Sequence, residues 1–293
     1  MGDVLAGIHA TWEFESDALV IRFERGIRTP KLFQALRERR VPHEALASVT
    51  LTPGRRGTVV LRAVPRPGAD PLMEAAAGQL KEGSDPYRLV LPADRETLAE
   101  YYRDELRGVL APDAEREPAE RFLVAAPSGP QSFKAYDGKA SFDGHAEVAF
   151  RWFWTGASSE KWKAGDQTFS VRELSGVEWR SPDVLDGYLR LLPRNGAPRA
   201  AQPDHDPASV VFGLGYGPVH ESLPFAAAVL AAIRTSPDRA PVAAAAPALG
   251  RTGASGDPGA VAERIRHLGE LHRAGLVTDE EFTAKKAELL AEL

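Results

Sequence analysis

The chain has 293 residues, of which 43% are apolar, enough to supply hydrophobic cores to two domains of ordinary size. Its net charge is only −5, so binding of nucleic acid through overall charge is not expected. The chain has no cysteine, which excludes disulfides, thiolate metal sites and cysteine nucleophiles.

Residues 1–14 have neither the basic opening nor the apolar run of a signal peptide. No uninterrupted apolar segment reaches the roughly 18 residues that a membrane-spanning helix requires. We therefore expect a cytoplasmic protein without a membrane span.

A residue pattern in the first third of the chain recurs 128 positions later. The matching residues are Phe14, Val20, Leu46, Val49, Leu61, Arg62, Pro65 and Arg66, which recur as Phe142, Val148, Leu174, Val177, Leu189, Arg190, Pro193 and Arg194. After a shorter loop in the second copy, Asp85-Pro86 recurs as Asp206-Pro207. Loops tolerate insertions whereas packed strands do not, so a register held over about 50 residues indicates a tandem repeat.

Each copy contains short runs of β-branched and aromatic residues between Gly, Pro and Asp, which predict strands. A helix follows the strands. In the first copy Asp94 is the expected N-cap, and the predicted apolar face comprises Leu98, Tyr101, Tyr102, Leu106 and Val109. In the second copy the helix is predicted over residues 221–234, with Phe225, Val229 and Ile233 on one face. This order predicts a mainly β (α+β) chain with two small β-barrels, each closed by a C-terminal helix.

Several strings resemble a bacterial family known only as domain of unknown function 4429. They are Pro71-Leu72 and Asp85-Pro86-Tyr87-Arg88-Leu89 in the first copy, and Asp137-Gly138, Ser141-Phe142-Asp143-Gly144 and Gly176-Val177-Glu178-Trp179 in the second. The resemblance covers residues 3–235 and implies repeats similar to pleckstrin-homology-like domains. It implies no known chemistry.

The expected domains are a first repeat over residues 1–112, a connector over 113–133 and a second repeat over 134–236. From 237 to 258 the chain is almost entirely Ala, Pro, Gly, Ser and Thr, a composition that predicts a disordered linker. Residues 259–293 are expected to form a helical hairpin. Gly275 ends its first helix in this prediction, and Thr278 with Glu281 forms a capping box for the second.

The string Leu268-Gly269-Glu270-Leu271, followed by the segment 274–282, resembles the short C-terminal domain called SHOCT. That family is associated with oligomerisation and partner recruitment. A hairpin of about 35 residues without a disulfide or metal is too small to hold itself together, so its apolar stripe must be covered by another surface. The residues expected to mediate oligomerisation or partner docking are Ile265, Leu268, Leu271, Leu276, Phe282 and Leu289.

One basic segment in the first copy could bind anions. Its candidate residues are Arg28, Lys31, Arg37, Arg39 and Arg40. Such cations near a surface each add about 1 kcal/mol of attraction to anionic lipid. The competing interpretation, a solvated amphipathic segment, is favoured over weak contact with anionic lipid.

A cluster of aromatic residues in the second copy also allows two interpretations. Trp152, Phe153, Trp154, Trp162 and Trp179 could line a ligand pocket, but filling of the core and of the interface with the first copy is favoured.

Motifs for enzymatic chemistry are weak. The sequence Gly213-Leu214-Gly215-Tyr216-Gly217 departs from the dinucleotide-binding pattern and indicates a strand-to-helix turn. Asp204-His205-Asp206 is interpreted as a solvated loop rather than a cation site. The sequence therefore predicts no catalytic residue, no cofactor and no metal. It favours a non-enzymatic interaction or scaffold protein that self-associates or binds a protein partner, with a peripheral sensor of anionic lipid as the alternative.

Overall fold

The structure is a computed structural model that describes residues 3–110, 117–184, 186–195, 200 and 202–236. These residues belong to one compact unit, 1–239. The expected linker, the hairpin and its six docking residues lie outside the described residues.

The first repeat contains two antiparallel sheets, ordered β1-β2-β3-β4 and β5-β6-β7. Its strands are β1 (Asp3–Ala6), β2 (Ala10–Phe14), β3 (Ala18–Phe23), β4 (Glu38–Pro42), β5 (Leu46–Pro53), β6 (Thr58–Pro65) and β7 (Arg88–Pro92). Its helices are α1 (Lys31–Leu36), α2 (Pro71–Ala76) and α3 (Glu96–Val109).

The second repeat has the same arrangement, with sheets ordered β8-β9-β10-β11 and β12-β13-β14. Its strands are β8 (Gln131–Lys134), β9 (Gly138–Phe142), β10 (Glu147–Trp152), β11 (Gln167–Ser170), β12 (Leu174–Arg180), β13 (Tyr188–Pro193) and β14 (Ser209–Val211). Its helices are α4 (Ser159–Ala164) and α5 (Val219–Thr235). None of the helices in the described ranges is long and apolar enough to cross a membrane.

The mainly β class is confirmed, but the closed barrels are not: the described strands form four antiparallel sheets. In the first repeat, Ile8 N donates to Val90 O at 2.7 Å in an isolated bridge between its two sheets. Tyr136 N donates to Val211 O at 3.0 Å at the same corner of the second repeat. Because the bond is not extended into a ladder, each repeat is a pair of packed sheets rather than one continuous barrel.

The structure confirms the duplication and corrects one match in it. Phe14 faces Leu19 across the β2–β3 hairpin, whereas Phe142 faces Val148 across β9–β10. The structural counterpart of Val148 is therefore Leu19 rather than Val20. The second hairpin holds one more residue, and the chain regains the 128-residue offset before α4, since α1 begins at Lys31 and α4 at Ser159.

The predicted cap and apolar face of the first closing helix were partly wrong. Asp94 lies in a 3-10 turn, Ala93–Arg95, and Arg95 is the residue that precedes α3. The face that packs on the sheet consists of Ala99, Tyr102 and Leu106, while Leu98, Tyr101 and Val109 of the predicted face are exposed. In α5 the prediction holds, because Phe225, Val229 and Ile233 are all buried.

Helix α2 of the first repeat packs into the core of the second. Leu72, Ala75 and Ala76 are buried in the same cluster as the α5 residues Phe225 and Val229. Polar contacts frame this interface: the Gln79 side chain donates to Trp179 O and accepts from Ser181 N, each at 2.9 Å. Helix α2 therefore completes the core of the second repeat against α5, while the first repeat keeps a separate core of its own.

Candidate functional site

A cleft lies on the outer face of the β5-β6-β7 sheet. The strand register places Thr50, Arg62 and Arg88 in one row across the three strands. Thr52 and Val60 form the next row. Alternation along each strand sends these side chains to the face opposite the core, where Thr52 and Arg62 are exposed while Val60 is buried.

The opposite wall comes from α2 and the segment that follows it. Asp70 caps α2 by accepting from Leu72 N at 2.9 Å, and Ala77 ends the helix in the left-handed conformation. The chain then returns over the sheet and leaves a space of about 370 Å³. We call this space the first-repeat cleft; its lining residues are Thr50, Thr52, Val60, Arg62, Met73, Ala76, Gly78, Leu80, Glu82, Asp85 and Arg88.

Charged groups inside the first-repeat cleft are paired. Arg62 Nη2 lies 3.2 Å from Asp85 Oδ2, and the other oxygen of Asp85 accepts from Tyr87 N at 2.9 Å. Arg88 contacts Glu82 through the Glu82 carboxylate and donates to Glu82 O at 2.7 Å. The cleft thus combines an apolar wall with balanced charges and two threonine hydroxyls. This chemistry suits an amphipathic ligand such as a peptide segment.

The same surface of the second repeat carries larger side chains. The counterparts of Thr50 and Val60 are Glu178 and Tyr188, whose hydroxyl donates to the Glu178 carboxylate at 2.5 Å. The Arg190 guanidinium lies 5.3 Å from the centre of the Tyr188 ring. Burial, helped by the bond to Glu178, raises the pKa of Tyr188 to about 12. The second repeat therefore carries larger side chains at the positions that Thr50 and Val60 hold in the first repeat.

Two buried ion pairs anchor the loops around these sheets. Arg39 Nη2 donates to Asp70 Oδ1 and the Tyr87 hydroxyl to Asp70 Oδ2, both at 2.7 Å. Burial raises the pKa of Tyr87 well above its usual value, with the Asp70 charge adding to the effect. In the second repeat, Lys161 Nζ lies 2.5 Å from Asp137 Oδ2. Burial raises the pKa of Asp137 and lowers that of Lys161, because a charge is costly away from water.

The structure does not bring the five predicted anion-binding residues together as free cations. Arg39 is buried against Asp70, and Arg40 pairs with Glu15 and Asp17. Arg28, Lys31 and Arg37 remain exposed on the segment that includes α1. The sequence could not separate these groups, because the buried partner Asp70 is 31 residues from Arg39.

The aromatic residues of the second repeat divide into two groups. Trp152 and Trp179 are buried in the core, as the favoured interpretation expects, and Trp179 also meets Gln79 of the first repeat. Trp154 and Trp162 are instead exposed.

The remaining candidate motifs have structural roles. Gly213–Gly217 joins β14 to α5, and a Cβ on Gly217 would lie 2.2 Å from the Phe212 ring, in a backbone with φ of 62°. In the Asp204-His205-Asp206 segment, Asp206 Oδ2 lies 3.0 Å from Arg190 Nε. The imidazole of His205 lies between the carboxylates of Glu160 and Asp204. The solvated-loop interpretation was therefore wrong for Asp206, which is buried.

A family model described as Domain of unknown function (DUF4429) matches residues 12–107 and 140–230. The chain belongs to the DUF4429 family. Both DUF4429 segments start in the second strand of a repeat and end in its closing helix, in agreement with the duplication. A second model, Short C-terminal domain (SHOCT), matches residues 263–290. Among curated proteins nothing matches the chain.

Proposed function

We propose that this DUF4429 protein is a non-enzymatic interaction or scaffold protein of the cytoplasm. In this proposal the tandem repeats present a binding surface, and the C-terminal segment mediates oligomerisation or the docking of a protein partner. The arrangement of four and three strands with a closing helix supports a pleckstrin-homology-like fold for each repeat.

The first-repeat cleft is the observation that supports this proposal most directly. The two copies differ in two neighbouring rows on the outer face of this sheet, while the strand arrangement is the same in both. Arg62 with Asp85 and Arg190 with Asp206 form the same pair in both copies. The first copy has the smaller side chains at these positions, and Thr50 and Val60 line the first-repeat cleft. When surface side chains differ but the strands and the Arg–Asp pair are retained, one copy is expected to have become the recognition surface.

The SHOCT match supports the role of the tail. Residues 263–290 are too few to bury their own apolar residues in a stable core without a disulfide or metal. Attachment of several tandem units through such tails would raise the effective concentration of their binding surfaces.

Light scattering of the intact chain tests the tail. We expect a concentration-dependent mass above that of one chain for the intact protein, and the mass of one chain for Leu268→Asp, for Phe282→Asp and for a chain ending at Ser236. Far-ultraviolet circular dichroism checks that each variant retains its β signal. The mass of one chain for the intact protein too, at every concentration, would contradict the assembly role.

Copying the second repeat onto the first tests the cleft. Thr50→Glu with Val60→Tyr introduces the pair that occupies these positions in the second repeat. We expect proteins that copurify with the intact chain to be lost from this variant and retained by Thr168→Tyr, a control on the exposed face of β11. An unchanged set of copurifying proteins would show that the cleft is not the recognition surface.

A further inference from the structure

Two tryptophans lie on the surface of the second repeat. Trp154 follows β10 and is 80% exposed, and Trp162 on α4 is 51% exposed. Their ring centres are 5.5 Å apart in an edge-to-face contact. Exposing two indoles costs solubility, so this pair is a feature that folding alone does not explain.

Buried and capping contacts hold the segment that carries the two tryptophans in place. Ser158 caps α4 through its hydroxyl, which accepts from Lys161 N. The Lys161 side chain points inward, where it pairs with Asp137 and lies 5.0 Å from the centre of the Trp152 ring. Because Lys161 anchors the inner face of this short helix, its neighbour Trp162 is held on the outer face.

A third apolar side chain is exposed at the same end of the repeat. Leu214, in the loop between β14 and α5, is 57% exposed. This loop is attached to the end of β8 by the bond from Gly217 N to Lys134 O at 2.7 Å. Tyr136 connects the two loops, because its backbone lies against Gly156 and its side chain against Gly213.

Three cations cross the neighbouring sheet at this end. The register pairs Lys134 with Lys139 and Lys139 with Arg151, so the three lie in one row on the outer face. All three are exposed, and among the described residues none forms an ion pair. The nearby carboxylate of Asp166 accepts from Trp152 N at 3.1 Å, and that of Glu160 lies 3.3 Å from His205. The row therefore has an excess of positive charge.

The first repeat provides an internal comparison. Ala6, Thr11 and Arg22 hold the corresponding places in its sheet. Arg22 forms ion pairs with Glu13 and Glu38, so the single cation of that row is neutralised. The strand arrangement common to both repeats therefore does not require a basic row. The row of three cations is specific to the second repeat.

We propose that this end of the second repeat, formed by Trp154, Trp162, Leu214, Lys134, Lys139 and Arg151, binds the surface of anionic membranes. Indole rings favour the boundary between lipid headgroups and hydrocarbon, where an apolar ring and a polar N–H are both accommodated. Adjacent cations gain from the negative potential of anionic lipid. The unpaired positive charge beside the indoles favours such a surface over an uncharged apolar partner.

Vesicle binding of the full-length chain tests this proposal. We expect cosedimentation with vesicles of phosphatidylserine and phosphatidylcholine, weak binding to phosphatidylcholine alone, and loss of binding as salt is raised to about 1 M. Trp154→Ser with Trp162→Ser, and separately Lys134→Gln with Lys139→Gln, should each lower the partition coefficient roughly tenfold or more. Tryptophan emission should shift to the blue on binding and should not shift in the double tryptophan variant.

The matched control is Ala6→Glu with Thr11→Glu, which makes the same change in net charge at the corresponding positions of the first repeat. This control should retain binding. Equal loss in the control, or loss confined to Arg28→Gln with Lys31→Gln, would overturn the proposal. A concentration-dependent mass without vesicles that disappears in the double tryptophan variant would identify a second copy of the chain as the occupant and would also overturn it.

Discussion

Arg190 Nε lies 3.0 Å from Asp206 Oδ2, and the corresponding residues of the first repeat, Arg62 and Asp85, lie 3.2 Å apart. The pair has therefore been kept in both copies while its surroundings have changed. The Arg190 side chain is 8% exposed and that of Arg62 is 50% exposed. The duplicated chain provides a natural comparison between a buried and a solvated ion pair.

Replacing Asp206 or Asp85 by asparagine should lower the free energy of unfolding by unequal amounts. Asn keeps the oxygen that accepts from the backbone N–H two residues later, so only the charge is lost. Asp206→Asn should lower the free energy of unfolding by about 3 kcal/mol, because Arg190 loses its close partner inside the protein. Asp85→Asn should cost less than about 1 kcal/mol, since water solvates Arg62. Urea denaturation measures both, and equal costs would contradict this account.

The Lys161–Asp137 pair should show strong coupling. Lys161→Met alone leaves the buried Asp137 carboxylate without its cation and should cost about 3–5 kcal/mol. Asp137→Asn together with Lys161→Met removes both charges and should recover much of that loss, because Asn can still accept from Val211 N. A double-mutant cycle from chemical denaturation checks the coupling; additive costs would show that the pair is not coupled.

Leu72 should stabilise both repeats at once. Its side chain is fully buried in the core that α2 shares with α5. Leu72→Ala should cost about 2–5 kcal/mol and should shift the fluorescence transition of Trp179 in the second repeat. The control Leu98→Ala lies on the exposed side of α3 and should change stability little. If Trp179 unfolded at the same urea concentration in Leu72→Ala as in the parent, the packing of α2 against α5 would not couple the repeats.

Acid should destabilise the tandem unit through two histidines. Burial lowers the pKa of His220 below 6.5, with Glu221 opposing and Lys31 adding to the shift, and burial likewise lowers the pKa of His43. The folded state therefore binds fewer protons than the unfolded chain near pH 6.5. The stability present above that pH is lost as the pH falls through the folded pKa values.

Urea denaturation between pH 7.5 and 5 checks this dependence, within the range in which histidine titrates (about pH 5–8). His220→Gln with His43→Gln should give a shallower loss of stability on acidification. A pH dependence identical to that of the parent would contradict the assignment.

Tyr188 should lose its proton at a higher pH than an ordinary tyrosine. With a pKa of about 12 in the fold and 10.0 as the ordinary value, its contribution to stability is fully present below pH 10 and is lost as the pH rises through 12. Tyrosinate absorbance should show a late component to which the buried Tyr87 also contributes. Tyr188→Phe should reduce this component by the share of one tyrosine, and Glu178→Gln should move that share to lower pH. An unchanged late component in Tyr188→Phe would assign it to another tyrosine.

Much of the strand pattern could be predicted locally, because alternation and turn residues report on a single strand. The face of α3 could not, since Leu98 and Tyr101 fit a helical stripe as well as Ala99 does, and only the position of the sheet selects among them. The extra residue in the second hairpin was likewise missed because Val20 and Val148 are chemically equal while their registers differ. The cleft was missed because its small residues, Thr50 and Val60, carry no motif.

The sequence by itself determined that the chain is a β-rich duplication with a tail matching SHOCT, because local periodicity and repeated spacing are written along the chain. Tertiary structure alone decided which arginines are buried, which tryptophans face solvent and which residues line the first-repeat cleft. Those properties depend on pairs such as Arg39 with Asp70, whose members are distant in sequence and meet only when the sheets and helices pack.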